Sequence, residues 1–137
     1  MKTKRILGAF TLLLAIFVLA AFTAPVGQHA PWTIPAKYKS MKNPYAGDEN
    51  LTKTVGKAMW AKHCKSCHGN IGLGDGPKAP GLKTPMDKFN EPAFQAETDG
   101  EIYYKSIIGR NEMPNFEGKI PDEEGRWAVV NFIRTMK

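Results

Sequence analysis

The sequence is poor in cysteine. Its 137 residues include two, Cys64 and Cys67. That excludes a scaffold stapled by several disulfides. It has no convincing stretch of alternating apolar and polar residues, so an all-β or βαβ architecture has no support. It has no cluster of basic residues interleaved with aromatics, which argues against a nucleic-acid partner. No internal repeat or low-complexity tract occurs, and only one long apolar run does, so the chain crosses a membrane at most once.

Glycine and proline, by contrast, are abundant, with 13 Gly and 10 Pro. Hydrophobic residues make up 42%, enough for the core of one domain. So many backbone punctuators imply long loops wrapped around something. The net charge of +6 overstates the basic character. Lys2, Lys4 and Arg5 belong to a terminal segment, and without them the balance is mildly positive.

That segment reads as an export signal. The three positive residues precede Ile6 to Ala24, which carries no charge. Its length approaches the roughly 20 residues that span a bilayer. A cut after Ala20 or Ala24 and retention as an N-terminal anchor are both open. In either case the remainder lies outside the cytoplasm. Residues 1–24 are therefore expected to be a signal peptide or anchor, 25–51 a Pro-rich linker or strap, and 52–137 the folded domain. Trp32, Tyr38 and Tyr45 favour a strap that packs.

Within the domain the expected elements are helices. One should run from about Thr52 to Cys64, with Val55, Met59, Ala58 and Trp60 on its apolar face. A second should start near Thr98, where Thr98 and Glu101 have capping-box spacing, and end at Gly109. A third should start near Asp122, with Asp122, Glu123 and Glu124 at its positive end and Arg134 and Lys137 at its negative end. Trp127, Val130 and Ile133 lie along one side of it. Long loops, rich in Gly and Pro between Ile71 and Phe89, join them. Helices this few and short do not hold such loops unaided. Something else should fill the middle.

The stretch HCKSCHGN, His63 to Asn70, holds both cysteines and two of the three histidines. A disulfide between Cys64 and Cys67 is one reading, but CxxC oxidoreductases sit beside a βαβ pattern. Zinc is another, but structural zinc sites draw ligands from two separated segments, and His29 is the only other histidine. The third is CxxCH, the attachment motif of haem c. Cys64 and Cys67 would form thioethers to the two vinyl groups, and His68 would ligate the iron. Export suits it, because haem c is attached outside the cytoplasm.

From about Thr52 onward the chain resembles a class I c-type cytochrome. Gly56 and Trp60, eight and four residues before Cys64, match that family's N-terminal helix. Val129 and Phe132 resemble the positions that the glycine packs against. Pro80, twelve residues after His68, matches the proline whose carbonyl orients the axial imidazole. Met113, in GRNEMPNF, matches the loop of the second axial ligand. Met59 and Met136 fall on helix patterns and read as core. Met41 and Met86 flank prolines in loops, and Met86 lies too near His68 in sequence to reach the other face of the ring. His63 reads as a helix-end histidine near the haem edge and His29 as solvent-facing. Gly72, Gly74 and Gly76 are expected to make tight turns close to the haem, and Asp75 to cap a turn. Tyr103, Tyr104 and Arg110 are candidates for contact with a haem propionate or the Met113 side.

The resemblance implies an all-α, class I cytochrome c fold, with few helices and long loops around one covalent haem c. It implies a monohaem electron carrier of a respiratory chain, periplasmic or otherwise extracytoplasmic, and not an enzyme. Its partners would be redox proteins: a dehydrogenase, a quinol-oxidising complex or a terminal oxidase. Two alternatives stand beside it. One is an anchored subunit of a larger respiratory complex, since the domain is also similar to haem domains of oxidase third subunits. The other is a haem peroxidase or ligand sensor, for which no distal acid-base residues are evident. Lys65, Lys78, Lys83 and Lys88 surround the motif and offer either a steering surface for an acidic partner or a solvated face.

Overall fold

The computed structural model describes residues 30–137. The apolar run from Ile6 to Ala24 and His29 lie outside them. Pro31–Lys137 form one compact unit. Its regular structure is helical, and among the described residues no helix is long and apolar enough to cross a membrane.

Helix α1 is a single turn, Ala36–Lys39. Helix α2 is continuous in three stretches: Glu49–Leu51, a π-helical Thr52–Gly56, and Lys57–His63. It begins earlier than the expected Thr52 because the Asp48 carboxylate accepts from Leu51 N at 2.8 Å and caps it. It ends at His63, and Cys64 is the cap that leads into α3, Lys65–His68. A 3₁₀ turn, Ala79–Gly81, and the one-turn α4, Pro92–Gln95, punctuate the next loop. Helix α5 runs from Asp99–Tyr103 into a π-helical Tyr104–Ile108. Its capping box forms: Glu101 N donates to Thr98 Oγ1 at 3.2 Å, and Thr98 N donates to Glu101 Oε2 at 2.8 Å. Helix α6, Glu123–Arg134, starts at Asp122, whose carboxylate accepts from Gly125 N at 2.6 Å.

The core is the crossing of α2 and α6. A Cβ on Gly56 would fall inside van der Waals contact of the Ala128 carbonyl oxygen and 3.2 Å from Phe132 Cβ. Only a residue without a side chain lets the two backbones approach this closely. Phe132 faces Gly56 as expected, but its companion there is Ala128 and not Val129. Positions 128 and 132, four apart, share one stripe of a helix, whereas 129 is rotated off it. Val129 is buried all the same. Trp127 packs on Tyr103 of α5 at 4.5 Å between ring centroids and ties the third helix in.

Arg134 does more than complement a helix dipole. Its Nε donates to Asp99 Oδ1 at 2.8 Å and its Nη1 to the Gln95 carbonyl at 2.8 Å. One side chain thus fastens α6 to the turn between α4 and α5.

Residues 31–47 lie against the helices. Tyr38 stacks on Tyr103 and tilts against Tyr104, and Trp32 meets Tyr104 edge-on at 6.2 Å. Asn43 Nδ2 donates to Asn131 Oδ1 at 2.7 Å, and Asn131 Nδ2 donates to the Tyr45 carbonyl at 2.7 Å. Buried Asn131 is thus satisfied from outside its own helix.

Candidate cofactor site

The site grows from the C-terminus of α2. Trp60, in that helix, is buried and donates its indole N–H to the Gly69 carbonyl at 3.1 Å. That bond fixes the chain just after the motif. The last carbonyls of α3 have no helical partners of their own. The glycine loop turns back and supplies them: Gly74 N to His68 O at 3.0 Å, Gly76 N to Cys67 O at 3.1 Å, and Lys78 N to Ser66 O at 2.8 Å. The sequence suggested that these glycines approach a cofactor. In the structure Gly74 and Gly76 also serve the backbone of the motif, and Gly72 accepts from Phe89 N at 2.9 Å.

Cys64 and Cys67 are not bonded to each other. Burial, with a smaller contribution from Cys67, pushes the Cys64 thiol up to about 12, so it stays protonated at neutral pH. The two motif histidines part company. His63 turns its ring edge-on to Phe116 at 5.7 Å, and His68 packs against Trp60 at 5.9 Å and Phe89 at 5.0 Å, which also meet each other at 5.8 Å. Burial lowers the pKa of both, with Lys62 and Lys119 adding to the effect at His63 and Asp87 opposing it at His68. Both rings are therefore neutral at pH 7, the form that offers a metal a lone pair. Among the described residues no three His, Cys, Asp or Glu side chains gather to hold a metal ion, so the zinc reading has no donor set.

His68 Nδ1 is buried and has no hydrogen-bond partner, and the same holds for His63 Nε2. The bond to the Pro80 carbonyl that the resemblance implied is not made. Pro80 sits exposed in the 3₁₀ turn, whose base is stitched to Ser66 through Lys78. An orphaned buried polar group costs about 1–3 kcal/mol, so the imidazole is set in a place that the polypeptide alone does not complete.

Met113 comes to the same core from the other side of the sequence. It is half-buried and packs against the cluster that holds Cys64, Phe89 and Phe116. Its loop is tightly specified. Gly109 has φ +70, and a Cβ there would strike the Met113 carbonyl oxygen, so this position requires glycine. Asn111 also has positive φ, 51°, in the turn that Met113 N closes on Arg110 O at 2.9 Å. Asn tolerates that region better than other side chains. Phe116 N then bonds the Ile107 carbonyl at 2.8 Å and returns the loop to α5.

Two features of this loop were missed in the sequence. Arg110 stacks on Trp32 at 4.0 Å and donates to the Pro31 carbonyl at 2.9 Å, so residues 31–32 reach the Met113 turn. Glu112 accepts from the Lys83 and Thr84 amides, which hold its carboxyl below the ordinary range. The only signal was a charged residue inside a turn beside Met113. Of the other candidates, Tyr103 and Tyr104 are engaged by Trp127 and by Tyr38, and Met59 and Met136 pack with the core as expected.

Two unlinked thiols at CxxCH spacing, a neutral imidazole with an unpartnered Nδ1 against aromatic rings and a methionine on the same core fit the donor set of haem c. A search of curated proteins finds no match. The family model described as Cytochrome c matches residues 54–137, and the chain belongs to that family of electron-transfer proteins with covalently bound haem c.

Proposed function

We propose that this protein is an exported monohaem cytochrome that carries single electrons in a respiratory chain. The observation that supports the reading is that one core cluster, which holds Cys64, Trp60 and Phe89, packs against Met113 and carries the two rings that His68 touches. Cys64 and Cys67 would hold haem c through their sulfurs as thioethers. When bound, haem c supplies a one-electron couple. His68 and Met113 would supply its iron ligands and leave no open position for a substrate, and the Met113 thioether would favour the reduced state. Trp60 and Phe89 pack against His68, whose Nδ1 is buried.

Cytochrome c domains are typically extracytoplasmic. The charged start and the apolar run Ile6 to Ala24 support export here, with the partners being a dehydrogenase, a quinol-oxidising complex or a terminal oxidase. Lys65, Lys78, Lys83, Lys88 and Ile71 are exposed, and the lysines would offer such a partner basic contacts. A second reading has the chain as an anchored subunit of a respiratory complex. The packing of residues 31–47 on the domain favours it, because any pull from the N-terminus would act directly on the fold. Fractionation separates the two: a carrier leaves native membranes in salt, a subunit co-purifies at fixed stoichiometry. A redox titration tests both against an enzyme. It should follow a one-electron slope, and the reduced protein should bind carbon monoxide slowly. Rapid carbon monoxide binding would mean an open iron and overturn the carrier reading in favour of a peroxidase or sensor.

A further inference from the structure

Glu112 is the residue next to Met113, and its side chain points away from the core to a different loop. Its carboxylate accepts from Lys83 N through both oxygens, at 3.1 and 3.0 Å, and from Thr84 N at 2.7 Å. The loop it reaches continues from the turn Ala79–Gly81, which is itself anchored to the motif helix through Lys78 and Ser66. Backbone bonds hold this loop before and after that point, Leu82 N to Ala79 O and Phe89 N to Gly72 O. Glu112 takes the amides of residues 83 and 84 between them, just before Pro85, which has no N–H to offer.

We propose that Glu112 is a positioning residue for Met113: a clamp that closes the Met113 loop onto residues 83–84 and sets how readily Met113 gives way to a competing ligand. This rests on the reading of Met113 as an axial ligand. The mechanics follow from the turn. Met113 N is tied to Arg110 O, and Asn111 holds the left-handed corner, so residues 110–113 move as one piece. Gly109 is the left-handed residue on which that piece joins α5. A side chain pinned on the outer edge of the piece therefore limits its swing. Carboxylate acceptors of backbone N–H groups are charge-assisted and stronger than neutral pairs. Because Glu112 is exposed, its three bonds explain no burial and fill no cavity. Their effect is to fasten the two loops to each other.

The test uses the oxidised holoprotein, with imidazole as the competing ligand and the weak sulfur-to-iron absorption band as the readout. Glu112→Ala should bind imidazole on the order of tenfold more tightly than wild type, with loss of the band at correspondingly lower imidazole. Glu112→Gln keeps one carbonyl oxygen that both amides reach and should fall between the two. A purely structural surface role would leave imidazole affinity unmoved. Met113→Ala separates the possible failures. If it keeps the band, the ligand reading itself is wrong. If it loses the band while Glu112→Ala binds imidazole no more tightly than wild type, the clamp alone is overturned.

Discussion

The crossing of α2 and α6 and the loop from Gly69 to Glu91 are held by different means. At the crossing, backbone meets backbone across Gly56, and Trp127, Val130 and Ile133 fill the space behind it. In the loop, most side chains are exposed, and order comes from amides that cap α3, from Glu112 and from Phe89 folded under Gly72. Next to the loop, at the end of α3, His68 Nδ1 is buried without a partner, as is His63 Nε2 at the end of α2. The first region is specified by packing. The second is specified by backbone bonds around a place for another group.

This difference can be broken from either end. The largest effect should follow removal of the attachment chemistry. A Cys64→Ala/Cys67→Ala double variant should retain no haem on a denaturing gel stained for haem, whereas wild type retains it. In the second region, where the polypeptide leaves His68 incomplete, its loops should also become the most rapidly exchanging amides of the molecule. Next comes the crossing. Gly56→Val forces α2 away from the Ala128 carbonyl and should cost about 3 kcal/mol in a denaturant titration of the holoprotein, since overpacking of a tight contact costs about 1–3 kcal/mol and the backbone oxygen cannot turn aside. Haem should still be attached in that variant, which would sharpen the division between the two regions. The smallest effect lies in the cap of α5. Thr98→Ala should cost about 1 kcal/mol. The Thr98 amide holds Glu101 below its ordinary 4.5, so its share of stability is full above that value and fades as pH falls through the lowered one. Glu101→Gln should flatten that part of the acid limb of a stability-against-pH curve.

What the sequence disclosed follows the same line. Capping residues are local, so Thr98 with Glu101 and Asp122 marked two helix starts that the structure keeps. Asp48 is as local a signal, but the Pro and Gly around it made that stretch read as linker, and α2 starts earlier than expected. The one-turn helices α1 and α4 are too short to show a period at all. Long-range pairing leaves no mark in a single sequence. Arg134 to Asp99, Asn43 to Asn131 and Glu112 to the amides of 83 and 84 all join positions far apart, and none was foreseen. The motif CxxCH and the loop around Met113 stood out because their chemistry is carried by a few residues at fixed spacing. Pro80 shows the limit of that logic: its spacing fits, yet His68 Nδ1 makes no bond.

The proposed pairing of His68 with Met113 bears most of the functional account. The sulfur-to-iron band of the oxidised holoprotein, compared between wild type and Met113→Ala, tests it most directly. The band should be present in wild type and absent from Met113→Ala, with the reduction potential of the variant falling as the thioether is lost. A band that persists in Met113→Ala would contradict the assignment and place the second ligand elsewhere in the chain.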